Sequence, residues 1–330
     1  MMQLGSLCSG YGGLEAGIGQ VLDIEPVWCS EIDKDASKVL ATHHPDVPNL
    51  GDLTVLDWHQ VEPVDIICAG FPCQPFSHAG KRLGADDERA IFQHIADGIG
   101  VLRPRLVVLE NVPGILTLGG PAVIAALTAL RYDCRWLVVR ASDTGAPHRR
   151  ARWFCVAEPA DASGTAGWSV DTATRRAAEP RECDSAPAAD ADEPGGEAWA
   201  DTGHSAEGRP NKGGYEMQPV GSAAPAADAD LSRREGVRPE RGLATATIEP
   251  RTAHRFGPYE PAIERWEHIL GRPAPAPTDD RGLRPEFVEW MMGLDEGWVC
   301  DVGLSRTAAL KMLGNGVVPQ QAALAVDLLL

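Results

Sequence analysis

The sequence lacks the features that would place it in a membrane or hold it together covalently. No stretch reaches the roughly 18 consecutive apolar residues of a transmembrane helix, so no membrane span is expected. The opening MMQLGSLCSG has no basic segment followed by an apolar core, which predicts no secretion signal. The eight cysteines form no C-x-x-C pair, so neither a zinc site nor a disulfide framework is indicated, and no metal is expected. These absences favour a reducing cytoplasm.

The chain also lacks the basic excess common in proteins that bind nucleic acid. Its formal net charge is −17, whereas nucleic-acid phosphates attract basic proteins. About half of the excess lies in residues 157–250, where 18 acidic and 9 basic residues give a net charge of −9. Arginines cluster elsewhere, as in HRRAR at 148–152. The net charge is therefore a weak argument against a local basic cleft.

Short apolar runs alternate with helical stretches over residues 1–157. The six apolar runs extend from QLGSLC to RWFCVAE, and they predict an α/β fold whose parallel sheet is covered on both faces. Residues 158–250 differ, because loose repeats such as AADADEPGG have the composition of a linker or disordered segment. A globular pattern returns from about residue 281.

Cys73 lies between two prolines directly after the apolar run VDIICAG. This run has the pattern of a short buried strand. The prolines stop both helix and sheet, because each lacks an N–H and fixes its own φ. Cys73 is therefore predicted on a stiff loop at a strand end, where ligands bind in open α/β sheets. A buried structural thiol is the alternative, and it is the interpretation favoured for most of the other cysteines.

The glycine-rich segment LCSGYGGLEAGIG at 7–19 is a second site signal. A strand that ends near Cys8, a glycine turn and a helix from about Leu14 would let the backbone approach a nucleotide closely. Glu31 follows the second apolar run, where a carboxylate can accept bonds from ribose hydroxyls, although a solvated acid at a helix start is the alternative. Asp52 follows the third element and is a candidate partner for an adenine amino group.

Five motifs resemble, in order and spacing, those of DNA (cytosine-5)-methyltransferases of the bacterial and phage type. They are LCSGYGGLEAGIG, GFPCQPFSHAG, VVLENVPGIL, DTGAPHRRARWF and LGNGVVPQ. The resemblance implies a Rossmann-like, S-adenosylmethionine-dependent methyltransferase sheet, mostly parallel, with an inserted target-recognition region. The catalytic domain would comprise residues 1–157, the partly low-complexity target-recognition region 158–280, and the C-terminal return to the catalytic domain 281–330.

The same resemblance implies methyl transfer to C5 of cytosine in a specific double-stranded DNA sequence. The Cys73 thiolate would add to C6 of a flipped base, and Arg150 and Arg152 would lie beside it. Glu110 would need a raised pKa to stay protonated and assist at N3; a helix N-terminal acid is the alternative. Segment 76–92 would be the mobile loop that closes over DNA. The cofactor-binding residues implied are Gly10, Tyr11, Gly12, Gly13, Glu31, Ile32, Asp52, Leu53, Pro72 and Asn315.

Three places depart from the family pattern: Cys8 replaces an adenine-stacking aromatic residue, His148 replaces a glutamine, and Arg89-Ala90 replaces an Arg-Gly pair. An RNA methyltransferase on the same scaffold is an alternative, but FPCQPFS and the large insert favour DNA. An inactive DNA-binding relic is a further alternative, and the residues that speak against it are the intact Cys73, Glu110, Arg150, Arg152 and Asn315. A dinucleotide oxidoreductase is a more distant alternative, because no catalytic His or Tyr constellation accompanies the glycine turn. The expected partner is double-stranded DNA, a cognate restriction endonuclease is a candidate partner, and a monomer is expected.

Overall fold

The computed structural model describes residues 1–72, 89–160 and 256–330, all of which belong to one compact unit. The strands are β1 (Met2–Leu7), β2 (Ile24–Ser30), β3 (Ile66–Gly70), β4 (Leu106–Asn111), β5 (Tyr132–Val139), β6 (Arg152–Pro159), β7 (Thr278–Asp279) and β8 (Gly282–Leu283). The helices are α1 (Gly13–Val21), α2 (Lys34–His43), α3 (Arg89–Leu102), α4 (Ile115–Leu118), α5 (Gly120–Ala129), α6 (Glu260–Leu270), α7 (Pro285–Met291), α8 (Arg306–Asn315) and α9 (Pro319–Leu329).

Three predictions fall wholly or mostly outside these ranges. Cys73 lies outside the described residues, as does most of the loop predicted at 76–92. The same holds for most of the target-recognition region predicted at 158–280.

The main sheet has six strands in the order β2-β1-β3-β4-β6-β5. The pairs β1–β2, β1–β3 and β3–β4 are parallel, whereas β6 runs antiparallel to both β4 and β5. Five of the six strands therefore share one direction. The predicted α/β fold with a mostly parallel sheet is confirmed.

Residues of β3 are buried on both faces of the sheet, and they belong alternately to two apolar clusters. Ile66 and Cys68 belong to one apolar cluster and Ile67 and Ala69 to another, and all four are fully buried. Successive strand residues point to opposite faces, so a strand buried on both sides is apolar throughout. Apolar residues of α1 and α9 complete the first cluster, and residues of α3 and α5 complete the second.

A third apolar cluster joins α2, α6, α7 and α8 beside the turn that follows β1. Trp266 of α6 and Trp290 of α7 are fully buried there, and the Trp266 indole N–H donates to the Trp290 carbonyl at 3.0 Å. Trp266 falls within the region that the sequence assigned to target recognition, yet it packs with the C-terminal helices α7 and α8. The domain boundaries stay a prediction.

The C-terminal segment is tied to the N-terminal part of the sheet by polar as well as apolar contacts. The fully buried Gln321 amide donates to the carbonyls of Val139 and Arg150, each at 2.7 Å. The Tyr11 hydroxyl donates to the carbonyl of Val317 at 2.7 Å, across 306 residues of sequence. Over the described ranges, no helix combines the length and apolar character needed to cross a bilayer.

Gly316 is expected to be intolerant of any side chain because it packs against the buried ring of Tyr11. A Cβ added at Gly316 would overlap that ring. Gly316→Ala should therefore lower the free energy of unfolding in urea by about 1–3 kcal/mol, the usual cost of overpacking. Gly314→Ala is the matched control, because a Cβ there meets no atom within 4 Å. Equal stability of the two variants would contradict this packing argument.

Candidate active site

A cavity of about 460 Å³ opens at the carboxyl ends of β1, β3 and β4. Its volume falls within the roughly 300–1,000 Å³ of small-molecule pockets, and strand carboxyl ends are where open α/β sheets bind ligands. Its walls are the turn after β1, the ends of β2, β3 and β4, and one side of α8 with the turn that follows it. The N-terminal and C-terminal parts of the chain thus build one cavity.

The turn after β1 brings backbone and a carboxylate together at the cavity. Gly10 and Gly12 have φ values of 57° and 85°, which glycine adopts without strain. A Cβ added at Gly10 would meet no atom within 4 Å, so the backbone faces open space. The Gly10 N–H donates to Glu31 Oε2 and the Asp33 N–H to Glu31 Oε1, both at 2.8 Å. Glu31 is therefore fixed in place, with lone pairs left for a ligand.

Asn49 supports Glu31 from behind and was not identified from the sequence. Its Oδ1 accepts from the Glu31 N–H and its Nδ2 donates to the Glu31 carbonyl, both at 3.0 Å. This amide holds the backbone at the end of β2. The only sequence signal is an Asn placed shortly before Gly51, which is weak.

Glu110 is a buried carboxyl at the end of β4, paired with an arginine. The Nε of Arg152 lies 3.1 Å from Glu110 Oε1, and the two side chains are 15% and 10% exposed. Burial raises the pKa of Glu110 to about 7, although Arg152 and Arg150 act in the opposite direction. A carboxyl with this pKa is protonated in a large fraction of molecules near neutral pH, so it can donate a proton to a ligand in the cavity.

Arg150 takes a different role from Arg152. Its Nη2 donates to the carbonyls of Gly314 and Gly316 at 2.9 and 2.5 Å, and it does not line the cavity. Its backbone is in the left-handed region, with φ of 34°. The two arginines predicted at the nucleophile are thus separated: Arg152 faces the cavity and Arg150 holds the turn after α8.

Asn111 links the end of β4 to the end of β3. It is 2% exposed, its Nδ2 donates to the Phe71 carbonyl at 2.9 Å, and its Oδ1 accepts from the Val112 N–H at 2.8 Å. Phe71 and Pro72 line the cavity, and Cys73 follows Pro72 in the sequence. The buried amide therefore fixes the backbone that leads to Cys73.

The cavity brings together eight of the residues predicted for the site: Gly10, Tyr11, Gly13, Glu31, Pro72, Glu110, Arg152 and Asn315. Tyr11 takes part mainly through its buried ring, because its hydroxyl is bonded to the Val317 carbonyl. Asn315 is the last residue of α8.

Five predicted residues do not line the cavity: Gly12, Ile32, Asp52, Leu53 and Arg150. The exposed Asp52 carboxylate accepts bonds from the backbone and hydroxyl of Thr54, and these bonds lower its pKa. The Ile32 side chain is 71% exposed, and Leu53 packs in the core beneath the sheet. The assignment of Gly12, Ile32, Asp52 and Leu53 to the cofactor stays a prediction, as does that of Arg150 to the nucleophile.

Several cavity residues were missed in the sequence: Ser6, Ser9, Glu15, Asp33, Asp35 and Lys311. Glu15 and Asp35 occupy first turns of helices, where acids are ordinary, so only the fold reveals that they border a cavity. In the described part of the chain, no group of three or more His, Cys, Asp or Glu residues is arranged to hold a metal ion.

The fold and the cavity together define a Rossmann-like methyltransferase architecture. Residues 2–184 match the family model of C-5 cytosine-specific DNA methylases. Because this match spans more than half of the chain, the protein belongs to the C-5 cytosine-specific DNA methylase family.

Individual relatives agree with this family. The Type II methyltransferase M1.ScrFI of Lactococcus lactis subsp. cremoris is 37% identical over 155 residues, which are 46% of this chain and 40% of the relative. The Type II methyltransferase M.MspI of Moraxella sp is 36% identical over 157 residues, 46% of this chain and 37% of the relative. The chain thus spans about two fifths of the length of these relatives. Among solved structures, the S. pombe Dnmt2 methyltransferase shares the fold, with a TM-score of 0.57 and 14% identity over 100% of this chain and 98% of that one.

Proposed function

We propose that the protein transfers a methyl group from S-adenosylmethionine to C5 of cytosine in a specific double-stranded DNA sequence. The observation that best supports this function is the Glu110–Arg152 pair, since a buried carboxyl with a pKa of about 7 borders the same cavity as the glycine turn. Family membership supplies the chemistry to which such an acid is suited.

The cavity fits the proposed cofactor. Gly10 presents open backbone, and Glu31 is held by two N–H groups while keeping lone pairs for ribose hydroxyls. Gly10, Gly13, Glu31 and Asn315 would hold S-adenosylmethionine. When bound, this cofactor supplies the electrophilic methyl group.

The residues of this chain would activate the cytosine. C5 is a poor nucleophile until a group adds to C6, and a thiolate can both add and leave. We assign that addition to Cys73, which makes a carbon–sulfur bond to C6. Glu110 would donate a proton to N3 as negative charge develops on the ring, and Arg152 would hold the Glu110 carboxyl in position. Once C5 carries the methyl group, loss of the C5 proton to solvent, departure of the thiolate and return of the N3 proton to Glu110 would restore the neutral aromatic base.

The remaining assignments follow from the family. Residues 1–157 and 281–330 would form the catalytic domain, and 158–280 would read the target sequence. Because the target carbon is stacked in a duplex, the base must be flipped into the cavity, with segment 76–92 closing over it. Double-stranded DNA is the proposed partner, a cognate restriction endonuclease is a candidate second one, and we propose a cytoplasmic monomer.

Glu31→Ala is expected to weaken S-adenosylmethionine binding by about 1–3 kcal/mol, the cost of losing a buried polar contact. Isothermal titration calorimetry measures this, with circular dichroism to verify the fold. Glu25→Ala is the matched control, because Glu25 is an exposed glutamate on β2, the strand that Glu31 follows. Asp52→Ala belongs in the same series: weaker binding there would place the adenine at Asp52, despite its position outside the cavity wall. Unchanged affinity in Glu31→Ala would contradict the proposed cofactor position.

Bisulfite sequencing of plasmid DNA from a host that expresses the protein tests the function itself. We expect cytosines that resist bisulfite conversion at one recurring sequence, and none at that sequence in a host with an empty vector. Bisulfite sequencing of host RNA is the second arm. Protection confined to RNA would favour the RNA methyltransferase alternative, and protection in neither nucleic acid would favour an inactive DNA-binding protein.

A further inference from the structure

Glu15 is a buried carboxyl on the wall of the cavity that the proposed mechanism does not use. Glu15 lies in the first turn of α1, is 8% exposed and borders the cavity. Its Oε1 accepts a bond from the Ser6 hydroxyl, which also contacts the Ser9 hydroxyl at 2.7 Å. Its Oε2 is buried and has no hydrogen-bond partner among the described residues. Leaving a buried carboxyl oxygen unpaired is costly, so a partner is needed.

The surroundings of Glu15 contain acids and thiols. The Glu31 carboxylate lies on the β2 side, the thiols of Cys29 and Cys68 lie on β2 and β3, and the Tyr11 hydroxyl lies in the turn. No Lys, Arg or His within the described ranges forms an ion pair with Glu15. Burial and the neighbouring Glu31 raise the pKa of Glu15, while bonds from Ser6, Ser9 and the backbone oppose this. Glu15 is therefore a buried carboxyl at the cavity, with a raised pKa, one unpaired oxygen and no described cation paired with it.

We propose that Glu15 binds a positive charge on the methionine part of S-adenosylmethionine, through the unpaired Oε2. The inference rests on the proposed function, because it takes that cofactor as the ligand. Two charges are candidates, the α-ammonium and the sulfonium, and both are cations that a buried carboxylate would pair with. No other carboxyl described at the cavity is both buried and unpaired, because Glu110 is paired with Arg152 and both oxygens of Glu31 accept backbone N–H groups.

Binding would then change the protonation of Glu15. Burial raises the pKa of Glu15, so pairing as the anion with the cation would release to solvent any proton that the carboxyl carries in the free protein. Affinity for the cofactor should rise with pH until it passes the raised pKa of Glu15, above which no proton needs to leave. The released proton is a signal that a purely structural buried acid would not give.

Calorimetry with three ligands tests the proposal. S-adenosylmethionine carries both charges, S-adenosylhomocysteine keeps the ammonium only, and 5′-methylthioadenosine carries neither. Each is titrated into the wild-type protein and into Glu15→Gln, in two buffers with different ionisation enthalpies. Wild-type protein should show buffer-dependent heat with S-adenosylmethionine, which reports proton release. Glu15→Gln should lose that dependence and bind S-adenosylmethionine about ten-fold more weakly. Its affinity for methylthioadenosine should equal that of wild type.

The three ligands distinguish the two candidate charges and also test whether Glu15 binds either of them. Proton release with S-adenosylhomocysteine as well would identify the ammonium as the partner, and its absence would identify the sulfonium. Buffer-independent heat together with pH-independent affinity in the wild-type protein would overturn the proposal even if the variant failed to fold. Equal weakening of all three ligands by Glu15→Gln would also overturn it, since the loss would then be structural. Failure of the wild-type protein to bind any of the three would overturn the cofactor assignment, and this inference with it.

Discussion

Cys73→Ser is expected to abolish methyl transfer to DNA, with a loss of about 10⁴-fold or more in rate. A hydroxyl is far less acidic than a thiol and has no base assigned to activate it, so addition to C6 would not occur. The initial rate of tritiated methyl incorporation into DNA measures the loss. Cofactor affinity should be unchanged, because the thiol is assigned to the base and not to the cofactor.

Cys134→Ser is the matched control for this substitution. Cys134 is a half-buried thiol on the edge strand β5, outside the cavity wall. We expect it to retain wild-type activity. Comparable activity of Cys73→Ser and Cys134→Ser would contradict the covalent mechanism.

Glu110→Gln is expected to lower the rate of methyl transfer by about 10²–10⁴-fold, the usual contribution of a positioned acid. Glutamine keeps the shape of the side chain but cannot transfer a proton to N3. It also removes the carboxylate that pairs with Arg152. Glu158→Gln is a suitable control, because it breaks a partly exposed pair with Arg135 on β5 that should matter little.

The pH dependence provides an independent check on Glu110. In the proposed mechanism the protonated carboxyl is the active form, and its pKa is about 7. The rate of the wild-type protein should therefore fall as the pH rises through about 7. Formation of the Cys73 thiolate acts in the opposite direction, because it raises the rate as the pH rises on the acidic side. Glu110→Gln has no titrating group at this position, so its profile should lack that alkaline fall. An identical alkaline fall in the two proteins would show that another group titrates.

Much of the sheet could be predicted because each strand carries its own signal. The run IICA at 66–69 is apolar at every position, as a strand covered on both faces requires. The reversed direction of β6 is not visible in its sequence, because direction depends on how residues 140–151 lead the chain back beside β4. The join between Tyr11 and Val317 spans 306 residues, which no local pattern reports.

The residues of the candidate site that could be predicted are those at the carboxyl ends of strands. Glu31 and Glu110 both come at the carboxyl ends of strands, and both reach the cavity. Arg150 and Arg152 stand two residues apart in one motif, yet they point to different places. The backbone of Arg150 is in the left-handed region, and its guanidinium donates to the carbonyls of Gly314 and Gly316 at the end of α8. Glu15 has the appearance of an ordinary helix acid, and its burial against Ser6 depends on the packing of α1 against the sheet.

Trapping the protein on DNA that contains 5-fluorocytosine tests the central claim most directly. Fluorine at C5 cannot be eliminated after methylation, so the bond from the Cys73 sulfur to C6 should persist. Mass spectrometry of the protease-digested complex should then find the modified base and its new methyl group on the peptide that contains Cys73, and Cys73→Ser should form no complex. A covalent complex that survives Cys73→Ser, or that maps to another residue, would contradict the assignment of Cys73 as the nucleophile.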